Sequence, residues 1–281
     1  MRDIETKEIA KTVSRLFQEA CYKLPDDVVA AYRCSRGMEE SAAGREVLDR
    51  MLENAEISVK EGIPLCQDTG TAVVFLELGQ DAHIVGGNLY DAIHEGVRQG
   101  YDEGYLRKSM VDQPFSARVN TKDNTPAVIH TDIVPGDRLK IIALPKGGGG
   151  EMKSQLAMLA PASGRQGVID FVVKVVDEAD SYCCPPFVVG VGIGGTVEKT
   201  VMLAKRALLR KVGKPHLDDE VAELEKDILH QVNNLGIGPM GYGGRVTAFS
   251  VHVEVFPSHM AQLPVAVNIQ CHSIRHQEAF L

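Results

Sequence analysis

The stretch "CCPPFVVGVGIGGTVEKTVMLAKRALLRKV", residues 183–212, predicts a strand, a glycine turn and a helix in direct succession. Gly190, Gly192 and Gly195 have the spacing of a G-x-G-x-x-G dinucleotide-binding motif. The acidic residue that such a motif needs about 20 residues later is missing, and Lys214 lies in that zone instead. We therefore favour close packing of the helix on the strand over nucleotide binding as the reason for these glycines.

Helix and strand patterns alternate through the rest of the chain. Helices are predicted at residues 9–20, 44–60, 89–105, 146–159, 167–180 and 218–238. Strands are predicted at residues 71–78, 245–256 and 263–271, and residues 125–145 indicate two strands joined by a Pro-Gly-Asp turn. Strand pairs of this hairpin kind argue against a purely parallel sheet. The prediction is one α+β domain over residues 1–281, with mixed or antiparallel sheets flanked by helices.

The composition restricts the class of protein. Of the 281 residues, 44% are hydrophobic and 24% charged, which allows a sizeable core, and the net charge of -8 argues against a nucleic-acid-binding face. No window approaches the roughly 18 consecutive apolar residues of a membrane span. The first 17 residues mix charged with apolar side chains, unlike a signal peptide, so we expect a cytoplasmic protein.

Three of the six cysteines share a setting in which a regular element meets a turn. Cys66 precedes "QDTGT", Cys184 precedes two prolines, and Cys271 ends an apolar strand. The prolines restrict the backbone after Cys184 and thereby hold the direction of its thiol. Zinc sites usually contain close C-x2-C pairs, and none exists here. Dispersed thiolates fit an iron–sulfur cluster better, and three of them would leave one iron open to substrate.

A second candidate is the glycine run "KGGGGE", residues 146–151, which precedes a predicted helix. Backbone N–H groups at a helix start bind carboxylates as well as phosphates, so we interpret this run as a ligand loop. Arg107 and His259 are isolated polar residues that, by themselves, are more typical of a protein surface.

The motifs, taken in order, resemble those of class I fumarate hydratases. They are "CQDTG", "GYLRKS", "NTKDNTPAVIH", "KGGGGE", "CPPFVVGVGIGGT", "LGIGP", "PSHMAQLPVAVNIQC" and "RH". The resemblance covers about residues 5 to 276 and is to the α subunit of the two-subunit form, which corresponds to the N-terminal domain of the single-chain form. The related L-tartrate dehydratase α subunit shares the same plan, but the "KGGGxE" loop and the "GIGG" turn favour fumarase. One departure is Gly150, where the loop of the family often carries serine.

The resemblance implies a cofactor and a set of site residues. It implies a [4Fe–4S] cluster held by Cys66, Cys184 and Cys271. It implies a substrate pocket lined by Gln67, Asp68, Arg107, Gly149 and His259.

The resemblance also implies an activity and a partner. The reaction is the interconversion of (S)-malate with fumarate and water, a step of the tricarboxylic acid cycle, with the open iron as Lewis acid and Asp68 as part of the base at C3. The family works with a β subunit, which leads us to expect an inactive isolated chain and an α2β2 assembly. Three alternatives stay open: an α subunit of L-tartrate dehydratase or mesaconase, an NAD-binding oxidoreductase subunit that uses the "GVGIGG" turn, and a zinc-bound structural subunit.

Overall fold

The computed structural model describes residues 2–281 and is built from helices and mixed sheets. The helices are α1 (Thr6–Tyr22), α2 (Asp26–Met38), α3 (Ala42–Glu61), α4 (Leu89–Glu103), α5 (Gly148–Met152), α6 (Gly164–Ala179), α7 (Val197–Ala207) and α8 (Asp219–Asn234). The strands are β1 (Arg2–Glu5), β2 (Thr71–Gly79), β3 (Ala82–Val85), β4 (Val128–Val134), β5 (Leu139–Lys146), β6 (Gln155–Leu159), β7 (Phe187–Gly194), β8 (Ala248–Phe256), β9 (Leu263–Gln270) and β10 (Gln277–Phe280). This content confirms the α+β class with mixed sheets flanked by helices. In the described chain, no helix combines the length and the apolar character needed to cross a membrane.

The chain divides into two compact units, each with one four-stranded sheet. The first unit comprises the chain through Leu24, Ala55–Gly148 and Arg275–Leu281. The second unit comprises Pro25–Asn54 and Gly149–Ile274.

The sheet of the first unit has the order β10-β5-β2-β4, in which β2 is parallel to β4 and antiparallel to β5. Helices α1 and α4 pack side by side, and a Cβ added at Gly96 of α4 would lie 2.5 Å from the carbonyl oxygen of Ala10 of α1. The register pairs Thr71, at the start of β2, with Lys146, at the end of β5. The glycine run after Lys146 therefore begins beside the segment that enters β2.

The sheet of the second unit has the order β6-β9-β7-β8, and α6 and α8 cover one of its faces. Helix α7 packs on β7 at very short range. A Cβ at Gly190 would lie 2.1 Å from the carbonyl oxygen of Ala204, and one at Gly192 would lie 2.1 Å from that of Thr200. These distances confirm that Gly190 and Gly192 serve strand–helix packing.

The two sheets repeat one topology that the sequence does not reveal. In the first unit, β2 is followed by the short strand β3 and helix α4, then by the parallel neighbour β4, and then by β5 on the other side of β2. In the second unit, β7 is followed by helices, by the parallel neighbour β8 and then by β9 on the other side of β7. In both sheets the end of the third strand lies beside the start of the first.

Two predictions from the sequence were wrong in detail. The two strands within residues 125–145 exist as β4 and β5, but they do not pair with each other because β2 lies between them. The end of β2 fits into their connecting turn, where the N–H of Gly79 donates to the Arg138 carbonyl at 2.8 Å. The helix predicted at residues 146–159 is limited to the five residues of α5, and β6 follows it.

Candidate functional site

The turn that begins at Cys66 enters β2 in the first unit. Cys66 is half-buried and carries a free thiol. The backbone N–H of Asp68 lies 3.4 Å from the Cys66 sulfur, in the geometry of a hydrogen bond. The guanidinium of the buried Arg275 donates to the carbonyl oxygen of Asp68 at 2.6 Å. These bonds fix the direction of both the thiol and the Asp68 backbone.

The carboxylate of Asp68 accepts a backbone N–H on each oxygen. Gly70 donates to Oδ1 at 3.0 Å, and Gly148 donates to Oδ2 at 2.8 Å. A Cβ at Gly147 would lie 3.2 Å from Oδ2, so the glycine loop approaches the carboxylate more closely than a larger residue would allow. Each carboxylate oxygen can accept a further hydrogen bond, which leaves Asp68 able to take a proton or to bind a donor.

Arg107 is tied to the same turn through its main chain. The Thr69 hydroxyl donates to the Arg107 carbonyl at 2.9 Å. The hydroxyl of Tyr101, buried at the end of α4, donates to the Thr69 carbonyl at 2.7 Å. The side chains of Arg107 and Gln67 are exposed. The predicted residues Gln67, Asp68 and Arg107 therefore belong to one hydrogen-bonded region of the first unit.

Arg275 also neighbours Cys21 in this unit. Burial raises the pKa of the Cys21 thiol to about 11, while the Arg275 guanidinium opposes that shift. The net direction keeps Cys21 protonated at neutral pH. A buried, protonated thiol of this kind behaves as a small apolar residue rather than as a ligand.

The Cys184 turn lies at the entry to β7 in the second unit. Cys184 has φ 53°, in the left-handed region, and its N–H donates to the Ser181 carbonyl at 3.0 Å. Its neighbour Cys183 is 1% exposed, and the Cys183 thiol donates to the Gly149 carbonyl at 3.3 Å. The predicted substrate residue Gly149 is thus fixed to the turn that carries Cys184.

The Cys271 turn follows β9 in the same unit. The Cys271 sulfur lies 3.2 Å from the Ser273 hydroxyl, and the N–H of His272 donates to the Cys184 carbonyl at 3.0 Å. The strand register produces this proximity, because Val188 of β7 pairs with Gln270 of β9. Two of the three predicted ligand cysteines are therefore on turns that are hydrogen bonded to each other.

His259 lies in the exposed connection between β8 and β9. Its Nδ1 accepts the N–H of Ala261 at 3.2 Å, and its carbonyl accepts the N–H of Gln262 at 3.1 Å. These contacts are local to the turn, so the role of His259 toward a substrate stays a prediction.

The thiols meet the chemical requirements of an iron–sulfur site in part. In the described chain Cys66, Cys184 and Cys271 are half-buried and outside any disulfide bond, whereas Cys21 and Cys183 are buried and Cys34 is exposed. The N–H donor at Cys66 is of the kind that tunes cluster sulfurs. Within residues 2–281, no group of three or more His, Cys, Asp or Glu side chains is close enough to hold a metal ion. The donor chemistry fits a cluster, while the joint three-cysteine ligand set stays a prediction.

Reasoning from the sequence missed the residues that support these turns. Tyr32 and His272 were not identified, and Arg275 entered only as part of the "RH" motif, with no role assigned to it. The spacing of Val28, Tyr32 and Ser35, the buried residues of α2, is a helix signal that could have revealed the element carrying Tyr32.

A family model described as "Fumarate hydratase (Fumerase)" matches residues 10–280. The chain belongs to the fumarate hydratase family. This confirms the resemblance drawn from the ordered motifs. The chain is 41% identical over 271 residues to a protein of Methanocaldococcus jannaschii whose name assigns it provisionally as an L(+)-tartrate dehydratase subunit alpha. The match covers 94% of each of these two chains. The chain is also 32% identical over 253 residues to the L(+)-tartrate dehydratase subunit alpha of Escherichia coli strain K12, covering 89% of this chain and 82% of that protein.

Proposed function

We propose that this chain is the α subunit of an iron–sulfur hydro-lyase that interconverts (S)-malate with fumarate and water. The observation that carries the proposal is the position of the Asp68 carboxylate. It accepts the N–H groups of Gly70 and Gly148, and it lies on the same turn as the half-buried thiol of Cys66. A hydro-lyase of this family needs both a metal-binding thiol and a positioned base, and the Cys66 turn supports both roles.

The reaction removes a hydroxyl group from C2 of malate and a proton from C3. Hydroxide is a poor leaving group, and a C3 proton is barely acidic. When bound through Cys66, Cys184 and Cys271, a [4Fe–4S] cluster would supply the Lewis acidity that the departing hydroxyl group requires. The protein itself must supply the base for C3 and the partners for the two substrate carboxylates.

Asp68 is the proposed proton acceptor at C3. Two backbone N–H donors fix its carboxylate plane, so little reorganisation is needed when the proton is transferred. Arg107, His259 and the N–H of Gly149 are the proposed partners of the substrate carboxylates. Gln67 is an exposed amide next to Asp68 and is the proposed donor to the remaining polar groups of the substrate.

The proposal includes a partner subunit. The names of the relatives describe α subunits, which supports a β subunit for this chain as well. We propose that residues 1–281 act together as one α subunit in an α2β2 enzyme and that the β subunit completes the substrate site. Symmetric pairing of this kind is common among soluble oligomers.

A second candidate substrate is L(+)-tartrate, which is favoured by the names of the relatives. Tartrate is also a 2-hydroxy dicarboxylate, and the loss of water from it needs the same base and the same carboxylate partners. Because it carries a hydroxyl group at both C2 and C3, a tartrate enzyme needs one further polar partner at C3.

The direct test mixes purified α and β chains without oxygen and assays (S)-malate, fumarate, mesaconate and both tartrate enantiomers. The proposal predicts conversion of malate and fumarate by the mixture and none by the α chain alone. Conversion of L(+)-tartrate with no turnover of malate would replace the first candidate by the second. No turnover of any of these acids by the mixture would contradict the hydro-lyase assignment.

A further inference from the structure

Tyr32 is a large, fully buried polar side chain beside the Cys271 turn. It lies on α2 and is 0% exposed. Its ring packs edge-on against Phe249, with the centroids 4.9 Å apart. A tyrosine this deeply buried needs a partner for its hydroxyl group, because an unsatisfied buried donor is costly.

His272 provides both partners of that hydroxyl group. The Tyr32 hydroxyl donates to the His272 carbonyl at 3.0 Å and lies 2.7 Å from Nδ1 of the same residue. A phenol has one proton, so when it donates to the carbonyl, Nδ1 supplies the proton of the second bond. Tyr32 thereby fixes both the main chain and the ring of His272.

His272 in turn joins the two cysteine turns. It directly follows Cys271, and its N–H donates to the Cys184 carbonyl at 3.0 Å. The carbonyl of His272 also accepts the N–H of Ile274 at 3.0 Å, which closes the turn after Cys271. A path of hydrogen bonds therefore runs from α2 through His272 to the backbone of Cys184.

We infer that Tyr32 and His272 are a positioning pair that holds the Cys184 and Cys271 turns in fixed register before any metal is bound. The inference rests on the proposed function only in naming these two cysteines as ligands. The pair acts through the backbone, so neither residue needs to touch substrate or metal. A prearranged pair of thiols would bind a cluster without the entropic cost of ordering two loops.

The six cysteines of the metal-free chain provide the test. The chain is treated with N-ethylmaleimide for increasing times without oxygen, and mass spectrometry gives the alkylation rate at each cysteine. In the Tyr32→Phe variant we expect the rates at Cys184 and Cys271 to change by at least about 3-fold, because the variant loses both hydrogen bonds to His272. The rate at the exposed Cys34 should not change, and the buried Cys21 and Cys183 should stay slow.

Matched variants separate positioning from general loosening. Tyr22→Phe removes another tyrosine hydroxyl that donates to a carbonyl, that of Gly104 in the first unit, and should leave Cys184 and Cys271 unchanged. His272→Ala keeps the carbonyl that accepts the Tyr32 hydroxyl and loses only the ring partner, so it should change the rates in the same direction as Tyr32→Phe but by less. His272→Asn should largely restore normal rates because its amide can donate from the δ position.

Two results would overturn the inference. The first is that Tyr32→Phe leaves the alkylation rates at Cys184 and Cys271 within about twofold of their values in the unmodified chain. The loss of even one hydrogen bond should change them by more than that. The second is a joint rise at Cys21 and Cys183, which would indicate general unfolding. Because the assay uses no metal, an absence of iron in the purified protein would contradict the proposed function without affecting this result.

Discussion

The carboxylate of Asp68 is the single group on which the proposed reaction depends most. Asp68→Asn keeps the size of the side chain but removes its ability to take a proton. We expect kcat of the αβ mixture to fall by about 10²- to 10⁴-fold, the usual contribution of a positioned base. Asp102→Asn is the matched control, since Asp102 is an exposed carboxylate of the same unit that pairs with Lys108 at 3.2 Å. A kcat for Asp68→Asn within about threefold of the control would exclude Asp68 as the base.

A second carboxylate, Glu39, has a structural role that can be tested by pH. It is 2% exposed and accepts the N–H groups of Ser41, Arg245 and Val246 at 2.8 to 3.0 Å. Burial alone would raise the pKa of Glu39, but these donors reverse that effect and lower the pKa below its ordinary value of 4.5. The carboxylate therefore stabilises the fold above pH 4.5, and this contribution is lost as the pH falls through the lowered pKa.

Glu39→Gln should reduce the free energy of unfolding by about 1–3 kcal/mol at pH 7, because an amide cannot accept hydrogen bonds with both of its polar atoms. The difference from the unmodified chain should shrink as the pH falls from about 4.5 through the lowered pKa of folded Glu39. Glu40→Gln is the control, since Glu40 is exposed and only 3.6 Å from Arg245 in a surface ion pair. A loss for Glu39→Gln that is equal at low and neutral pH would contradict this account. Denaturant unfolding at several pH values measures the difference in the free energy of unfolding between each variant and the unmodified chain.

The contact between β7 and α7 depends on the absence of side chains at two glycines of the strand. Gly192→Ala would place a Cβ 2.1 Å from the Thr200 carbonyl oxygen, so the helix must move away from the strand. We expect this variant to lose at least about 1–3 kcal/mol of stability. Gly37→Ala is the matched control, because a Cβ there meets nothing within 4 Å and alanine favours helix α2. Equal thermal unfolding midpoints for Gly192→Ala and Gly37→Ala would contradict the packing explanation.

The elements also show how far the sequence could be read. Helix α4 was predicted to begin at Leu89 and does so, with Asn88 accepting the N–H of Tyr90 at 2.8 Å as its cap. Local spacing and capping determine such an element. The pairing of β4 and β5 was not predictable in this way, because the insertion of β2 between them depends on contacts between distant parts of the chain. The sequence did not reveal that α5 has only five residues and is followed by β6. Neither the glycines nor the short run "QLAML" shows a hydrophobic periodicity that distinguishes a helix from a strand.

The candidate site also combines features that the local sequence indicates with features that depend on contacts between distant residues. The thiols, Asp68 and the glycine loop were identified from the sequence because their residue types and motifs are distinctive. The bonds from Gly148 to Asp68 and from His272 to Cys184 depend on strand register, which the sequence does not state. Both bonds occur two residues after the end of a strand, β5 in one unit and β9 in the other. The repeated topology therefore places Asp68 and Gly148 of the first unit, and Cys184 and Cys271 of the second, at corresponding ends of their sheets. His259 is the exception, because it follows β8 at the opposite end of the second sheet.

The assembled enzyme should be sensitive to oxygen if it holds the proposed cluster. A cluster held by three thiolates leaves one iron accessible to substrate and equally to oxygen. We expect the αβ mixture to lose activity in air and to regain part of it with ferrous iron and a thiol reductant. The control is the same mixture kept without oxygen for the same time. Activity that stays unchanged in air for a day would argue against an accessible iron.

The metal and sulfide content of the chain purified without oxygen tests whether the chain holds an iron–sulfur cluster. The account predicts about four irons and about four sulfides per chain, as a [4Fe–4S] cluster requires, with a brown colour. The triple variant Cys66→Ser, Cys184→Ser and Cys271→Ser should contain neither. One zinc per chain with no sulfide, or tight binding of NAD with no iron, would contradict the account.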